Sequence, residues 1–296
     1  MKQKVYVTRH LPEAALNELV QGCDVEIWDH ETPPPYDLIV EKVRDKEGLL
    51  CLLTDRIDAA LMDASPRLKV ISQCAVGFDN VDLVAATERG IPVGNTPGVL
   101  TDATADFAFT LLMAAARRVG EAIDYVRAGH WQTWGLTLLL GQDVYGATLG
   151  LIGFGRIGQA VARRARGFDM RVLYYDVMRQ PEAEAELRAE YRPLDELLQE
   201  SDYVSLHVSL TEQTQGFMDA RAFALMKPTA ILINTSRGPV VDTEALYQAL
   251  NAGDLAYAAL DVTDPEPLPA GHKLLELPNL IVAPHIASAT VSSRTL

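Results

Sequence analysis

Residues 148–168 read TLGLI, then Gly153-Phe154-Gly155-Arg156-Ile157-Gly158, then QAVARRARGF: an apolar strand-like run, three spaced glycines and a helix-like run. A lone GxGxxG is weak evidence, because glycine-rich turns are common, but here a strand candidate precedes it and a helix candidate follows. The glycines allow a tight turn and close backbone approach, and the helix start offers unpaired N–H groups, at Arg156 and Ile157 among others, to a pyrophosphate. Asp176 ends the next strand candidate, RVLYYD, 18 residues after Gly158. A carboxylate there can accept ribose hydroxyls and repel a 2′-phosphate, which favours NAD(H) and leaves NADP(H) possible. The alternatives are a solvated turn aspartate, or pairing of the nearby Arg179 with Asp176 or with a phosphate.

Around this motif, short β-branched runs alternate with helix-like segments from end to end, the pattern of parallel sheets covered by helices. KVYVT, DVEIW, LLCLL and KVIS supply strands in the first hundred residues, with amphipathic stretches at Pro12 to Val20 and Tyr36 to Arg44. After residue 147 six more follow: TLGLI, RVLYY, YVSLH, AILIN, YAALD and LIVAP. The expected architecture is α/β, with two doubly wound parallel-sheet domains. Residues 1–98, completed by 287–296, form a flavodoxin-like substrate domain, and residues 99–286 form a Rossmann dinucleotide-binding domain. A long helix is expected from Thr101 to a stop at Gly120, followed over about 121–146 by an extended arm carrying Trp131, Trp134 and the apolar run Leu136 to Leu140. Exposed apolar surface of that kind usually meets a partner.

Composition narrows the function classes. The formal net charge of −14, with no basic stripe, disfavours nucleic acid and anionic membranes as partners. No run approaches about 18 uninterrupted apolar residues, and MKQKVYVTRH lacks the features of a signal peptide. Cys23, Cys51 and Cys74 form no CxxC pair and read as buried thiols of a reducing compartment, so a cytoplasmic protein is expected. No GxSxG elbow, Walker P-loop, HExxH or Cys/His metal cluster is present.

The later strand candidates end in polar or ionisable residues: His207, Asn234 to Arg237, Asp261 and His285. In a parallel sheet these ends share one edge, beside the cofactor crevice.

INTSRGPVVD, ALDVTDPEPLP and APHIASAT, together with ISQCAVGFDNVD and TPGVLTDATADFAF, resemble the signatures of the D-2-hydroxyacid dehydrogenases over essentially the whole chain. HWQTWG and DPEPLP resemble the glyoxylate/hydroxypyruvate reductases within that family most. The resemblance implies reduction of a small 2-oxoacid by NAD(P)H. It assigns substrate anchoring to Arg237, acid and base chemistry to His285, and support of the imidazole to Glu266. It implies that the N–H groups of Val76 and Gly77 bind the substrate carboxylate. Leu100, Trp134 and Ser288 are expected in the substrate pocket, and Thr104, His207, Ser209, Thr235 and Asp261 along the cofactor. It further implies a homodimer whose Trp134 enters the partner's pocket, with simple packing of the interface as the alternative. Relatives continue past the segment that ends here at Leu296. Two other readings stay open: a phosphoglycerate dehydrogenase-like enzyme, and an NAD-sensing corepressor-like binding protein.

Overall fold

The computed structural model describes residues 2–295 and divides into two compact units, Met1–Leu100 with Thr290–Leu296, and Thr101–Ala289.

In the N-terminal unit β1 (Gln3–Val7), β2 (Cys23–Ile27), β3 (Gly48–Cys51), β4 (Val70–Gln73) and β5 (Val93–Gly94) form a parallel sheet in the order β2-β1-β3-β4-β5. This is the flavodoxin-like order, in which the connections cover both faces. Tyr6, Leu49 and Ile71 are buried in one layer with Ile39, Val43 and Leu61 from the helices, and Val5, Val7 and Leu11 fill the other. Asp58 and Asp82 cap the short helices Ala59–Asp63 and Leu83–Glu88 by accepting the N–H groups of Leu61 and Ala85.

The second unit holds β6 (Thr148–Ile152), β7 (Arg171–Tyr175), β8 (Ala189–Tyr191), β9 (Tyr203–Leu206), β10 (Ile231–Asn234), β11 (Tyr257–Leu260) and β12 (Leu280–Val282), all parallel in the order β12-β11-β10-β9-β6-β7-β8. Every residue of β9, β10 and β11 is buried, as strands covered on both faces must be. The chain order reverses between β6 and β9, which opens a crevice at their carboxyl ends.

Three expectations need correction. The helix that starts at Thr101 ends at Ala116, not Gly120. The Ala116 carbonyl accepts the N–H of Gln142, Arg118 turns left-handed at φ 51°, and Gly120 falls inside a second helix, Val119–Arg127. The arm thus begins as a helix with Val119, Ala122, Ile123 and Val126 at helical spacing. The Rossmann sheet has a seventh strand, β8, an edge piece too short to show a period. Of the three thiols only Cys51 is buried, and burial pushes it up to about 12; Cys23 is half-buried and Cys74 exposed.

Candidate active site

The glycine turn follows β6 directly. Gly153 adopts φ 94°, and a Cβ there would lie 2.7 Å from the His207 carbonyl. A Cβ on Gly158 would lie 2.2 Å from the Gly153 carbonyl oxygen, so neither position tolerates a larger residue without movement. A Cβ on Gly155, by contrast, meets only open space. That opening lies at the start of the helix Arg156–Ala165, where the N–H groups of Arg156 and Ile157 belong to the unpaired first turn.

Arg164 on that helix reaches Asp106 at 2.6 Å and Asp102 at 3.2 Å, docking the first turn of Thr101–Ala116 and the buried Thr104 beside it. Thr235, just past β10, is buried with no hydrogen-bond partner for its hydroxyl. An orphaned buried hydroxyl on the same sheet edge as an open glycine cradle fits a dinucleotide, which would supply acceptors to both. Ser209 is exposed two residues past His207, and its carbonyl accepts the Thr214 hydroxyl at 2.7 Å.

Asp176 turns back onto this loop, with Oδ2 accepting the Phe154 N–H at 2.7 Å. Arg179 does not pair with it. Its guanidinium binds Glu184 at 2.6 and 3.0 Å and lies over the Tyr191 ring.

The ionisable groups sit on three turns that follow β10, β11 and β12. After β10, the buried Asn234 accepts the Ser236 N–H and hydroxyl, each at 2.9 Å, and donates to the Arg237 carbonyl at 2.9 Å. The turn carrying Arg237 is therefore shaped by one amide side chain. Gly238 then packs on the next turn so tightly that a Cβ would lie 1.9 Å from the Thr263 carbonyl oxygen. That second turn carries Glu266, whose Oε2 receives the Thr263 N–H at 3.3 Å.

His285 lies past β12 in the left-handed region, at φ 54°. Its backbone N–H donates to the Asp261 carbonyl at 2.8 Å, while both Asp261 carboxylate oxygens accept backbone N–H groups, from Ile286 at 2.8 Å and Ala287 at 2.7 Å. Burial raises the Asp261 carboxyl against the pull of those two donors. The side chain expected along the cofactor is thus spent first on the loop that presents His285, with the half-buried Ser288 just beyond it.

His285 Nδ1 lies 2.6 Å from Glu266 Oε1. Burial works to raise the Glu266 carboxyl, but the His285 hydrogen bond and charge, the Thr263 N–H and the Arg237 guanidinium outweigh it and hold it below its ordinary value. An ionised Glu266 keeps a proton on Nδ1 and leaves Nε2 as the exchanging position.

Val76, Gly77 and Leu100 belong to the N-terminal unit. Trp134 lies in the arm, 78% exposed. Sequence reasoning passed over Gly238, Asn234 as a turn former, and Thr263. For Gly238 the available signal was its place between the arginine and a proline. No group of three or more metal-ligating side chains occurs among the described residues.

Comparison with known proteins agrees with this geometry. Residues 109–287 match the family described as "D-isomer specific 2-hydroxyacid dehydrogenase, NAD binding domain". A glyoxylate reductase of Korarchaeum cryptofilum is 54% identical over 296 residues, covering 100% of this chain and 89% of the relative. One from Thermococcus gammatolerans is 53% identical over 298 residues, covering 99% and 89%. The crystal structure of the TT0316 protein from Thermus thermophilus superposes with a TM-score of 0.93 at 50% identity, covering 99% of this chain and 92% of that one. With the His285–Glu266 pair, the Arg237 turn and the glycine cradle on one sheet edge, and with likeness over its whole length, the chain belongs to the D-isomer specific 2-hydroxyacid dehydrogenase family.

Proposed function

We propose that the protein reduces glyoxylate and closely related 2-oxoacids, such as hydroxypyruvate, with NADH as the preferred reductant. The 2.6 Å His285–Glu266 pair beside the Arg237 turn carries this reading. A bound dihydronicotinamide supplies the hydride. His285 Nε2 gives its proton to the carbonyl oxygen, Glu266 offsets the charge of the imidazolium, and Arg237 presents planar paired donors to the oxoacid. The Val76 and Gly77 N–H groups hold the substrate carboxylate, and Leu100, Ser288 and Trp134 shape the pocket. Thr104, His207, Ser209, Thr235 and Asp261 serve the cofactor side.

Preference for NADH is supported by Asp176, whose carboxylate stands at the turn where a 2′-phosphate would meet like charge, and by Arg179, which is taken up by Glu184. NADPH remains usable at lower efficiency. A homodimer is supported by the arm, where Val119, Ile123, Val126, Trp131, Trp134, Leu136 and Leu140 are all exposed on the single chain. Three free cysteines support a reducing, cytoplasmic setting. No described helix is long and apolar enough to cross a membrane.

Steady-state assays of glyoxylate, hydroxypyruvate and pyruvate with NADH and with NADPH test the proposal. Glyoxylate turnover with a higher kcat/KM for NADH is expected. Failure to oxidise either cofactor with any of the three would overturn it.

A further inference from the structure

Beyond β4 the chain makes a loop in which three successive carbonyls are each tied down. The Ala75 carbonyl accepts the Thr96 N–H at 3.0 Å, the Val76 carbonyl accepts Asn95 Nδ2 at 2.9 Å, and the Gly77 carbonyl accepts Gln73 Nε2 at 3.2 Å. Gln73 is itself buried and fixed, exchanging hydrogen bonds with Asn80 and accepting the Cys51 thiol. Asn80 in turn donates to the Leu52 and Asp55 carbonyls. The loop is thus braced at its downstream end by a buried amide network and along its middle by residues 95 and 96.

In a trans peptide the carbonyl of one residue and the N–H of the next point in opposite directions, and the peptides here are trans. With the Ala75 and Val76 carbonyls both turned toward residues 95 and 96, the Val76 and Gly77 N–H groups are turned to the same opposite side. No acceptor among the described residues takes either N–H. Two adjacent N–H groups on one side of the chain form a concavity for an anionic oxygen. The Ala75–Val76 peptide is held by backbone alone, but the Val76–Gly77 peptide is held by one side chain. If that peptide flips, a carbonyl oxygen replaces an N–H, and attraction for a carboxylate becomes repulsion.

We infer that Asn95 is a positioning residue that holds the Val76–Gly77 peptide in the orientation that makes this loop a carboxylate cradle, while Gln73 fixes the next carbonyl, that of Gly77. The inference rests on the reading of Val76 and Gly77 as the substrate's carboxylate donors. Asn95 is exposed, so its replacement opens no cavity.

Asn95→Ala and the isosteric Asn95→Asp, which keeps the shape but cannot donate, are compared with the wild type. For Asn95→Ala the KM for glyoxylate rises roughly 3- to 10-fold, the worth of one hydrogen bond, with kcat within about twofold and NADH affinity unchanged. Asn95→Asp is at least as impaired. A residue that merely filled space would leave the aspartate variant near wild type. Alongside the kinetics, oxamate is titrated into the ¹⁵N-Val, ¹⁵N-Gly enzyme saturated with NADH. The Val76 and Gly77 amide resonances shift in the wild type, and in Asn95→Ala those shifts shrink at the same oxamate concentration. Wild-type shifts that persist unaltered in Asn95→Ala, with KM unchanged, overturn the role of Asn95 and leave the carboxylate reading standing. Absence of those shifts in the wild type overturns the carboxylate reading and the inference with it.

Discussion

Gly238 and Thr263 meet where no side chain can stand, since a Cβ on Gly238 would come within 1.9 Å of the Thr263 carbonyl oxygen. Gly238 lies outside the left-handed region, so this contact, not backbone conformation, demands glycine. It presses the Arg237 turn against the turn that presents Glu266. Gly238→Ala must push the two apart, and misplacement by about 1 Å costs on the order of 100-fold in rate. The expected outcome is a loss of that order in kcat/KM for glyoxylate, with NADH affinity near wild type by fluorescence titration. Wild-type kinetics in this variant would mean the two turns are not coupled.

Glu266→Gln keeps the shape of the His285 partner and removes its charge. Glu266 is held below its ordinary value and so stays ionised, and the substitution takes a negative charge from beside the imidazole that gives its proton to the carbonyl oxygen. The kcat for glyoxylate should fall on the order of 100-fold, with NADH affinity near wild type by fluorescence titration. An unchanged kcat would show that Glu266 does not act through His285.

Candidate groups were readable where residue type and strand-end position coincide: the glycine turn after β6, Asp176 after β7, and Arg237, Asp261 and His285 after β10, β11 and β12. What escaped the sequence depends on contacts between distant residues. The Thr101 helix stops because Gln142, far along the chain, captures the Ala116 carbonyl. Asn95 reaches Val76 across 19 positions. β5, of two residues, and β8, of three, are too short to carry a period. The helical spacing of Val119, Ala122, Ile123 and Val126 was visible, but the glycine at 120 looked like a stop. Arg179 illustrates local competition: Asp176 is nearer in sequence, yet Glu184 at the start of the next helix holds the guanidinium.

Asp176→Ala should raise kcat/KM for NADPH relative to NADH by about tenfold or more, because it removes a like charge facing the 2′-phosphate. Adding Glu184→Gln weakens the hold on Arg179 and should raise the ratio further. Measured cofactor ratios that do not change in the single variant would place the Asp176 carboxylate outside ribose recognition.

His207 sets a pH dependence of stability. Burial lowers its imidazole from 6.5 to about 4, and its Nε2 lies 2.9 Å from the Ser205 hydroxyl. The unfolded chain therefore takes up this proton more readily than the folded one. The penalty is absent above about pH 6.5, grows as pH falls from there to about 4, and is constant below. Its full size is on the order of 3 kcal/mol. His207→Gln should remove this component, so the gap in urea-unfolding free energy between variant and wild type should shift in the variant's favour as pH drops from about 7 to about 4. A gap that is the same at both ends would rule out His207 as the source.

Trp134 offers the sharpest test of assembly. It is 78% exposed on the single chain, near Trp131 at 63% and Leu136 at 77%, and large aromatic side chains left in water act as interface anchors. Val119, Ile123 and Val126 on the helix that leads into the arm are exposed as well, so a two-fold dimer through these residues would cover surface that a monomer leaves wet. If Trp134 enters the partner's pocket, Trp134→Ala should keep the dimer but change the ratio of kcat/KM for hydroxypyruvate over glyoxylate, since lost apolar contact is worth about 1–3 kcal/mol only to the substrate that touched it. If the indole merely packs the interface, the dimer should weaken and every substrate should suffer alike. Sedimentation velocity of the variant beside its kinetics separates the two. An intact dimer with unaltered substrate ratios would remove Trp134 from both roles.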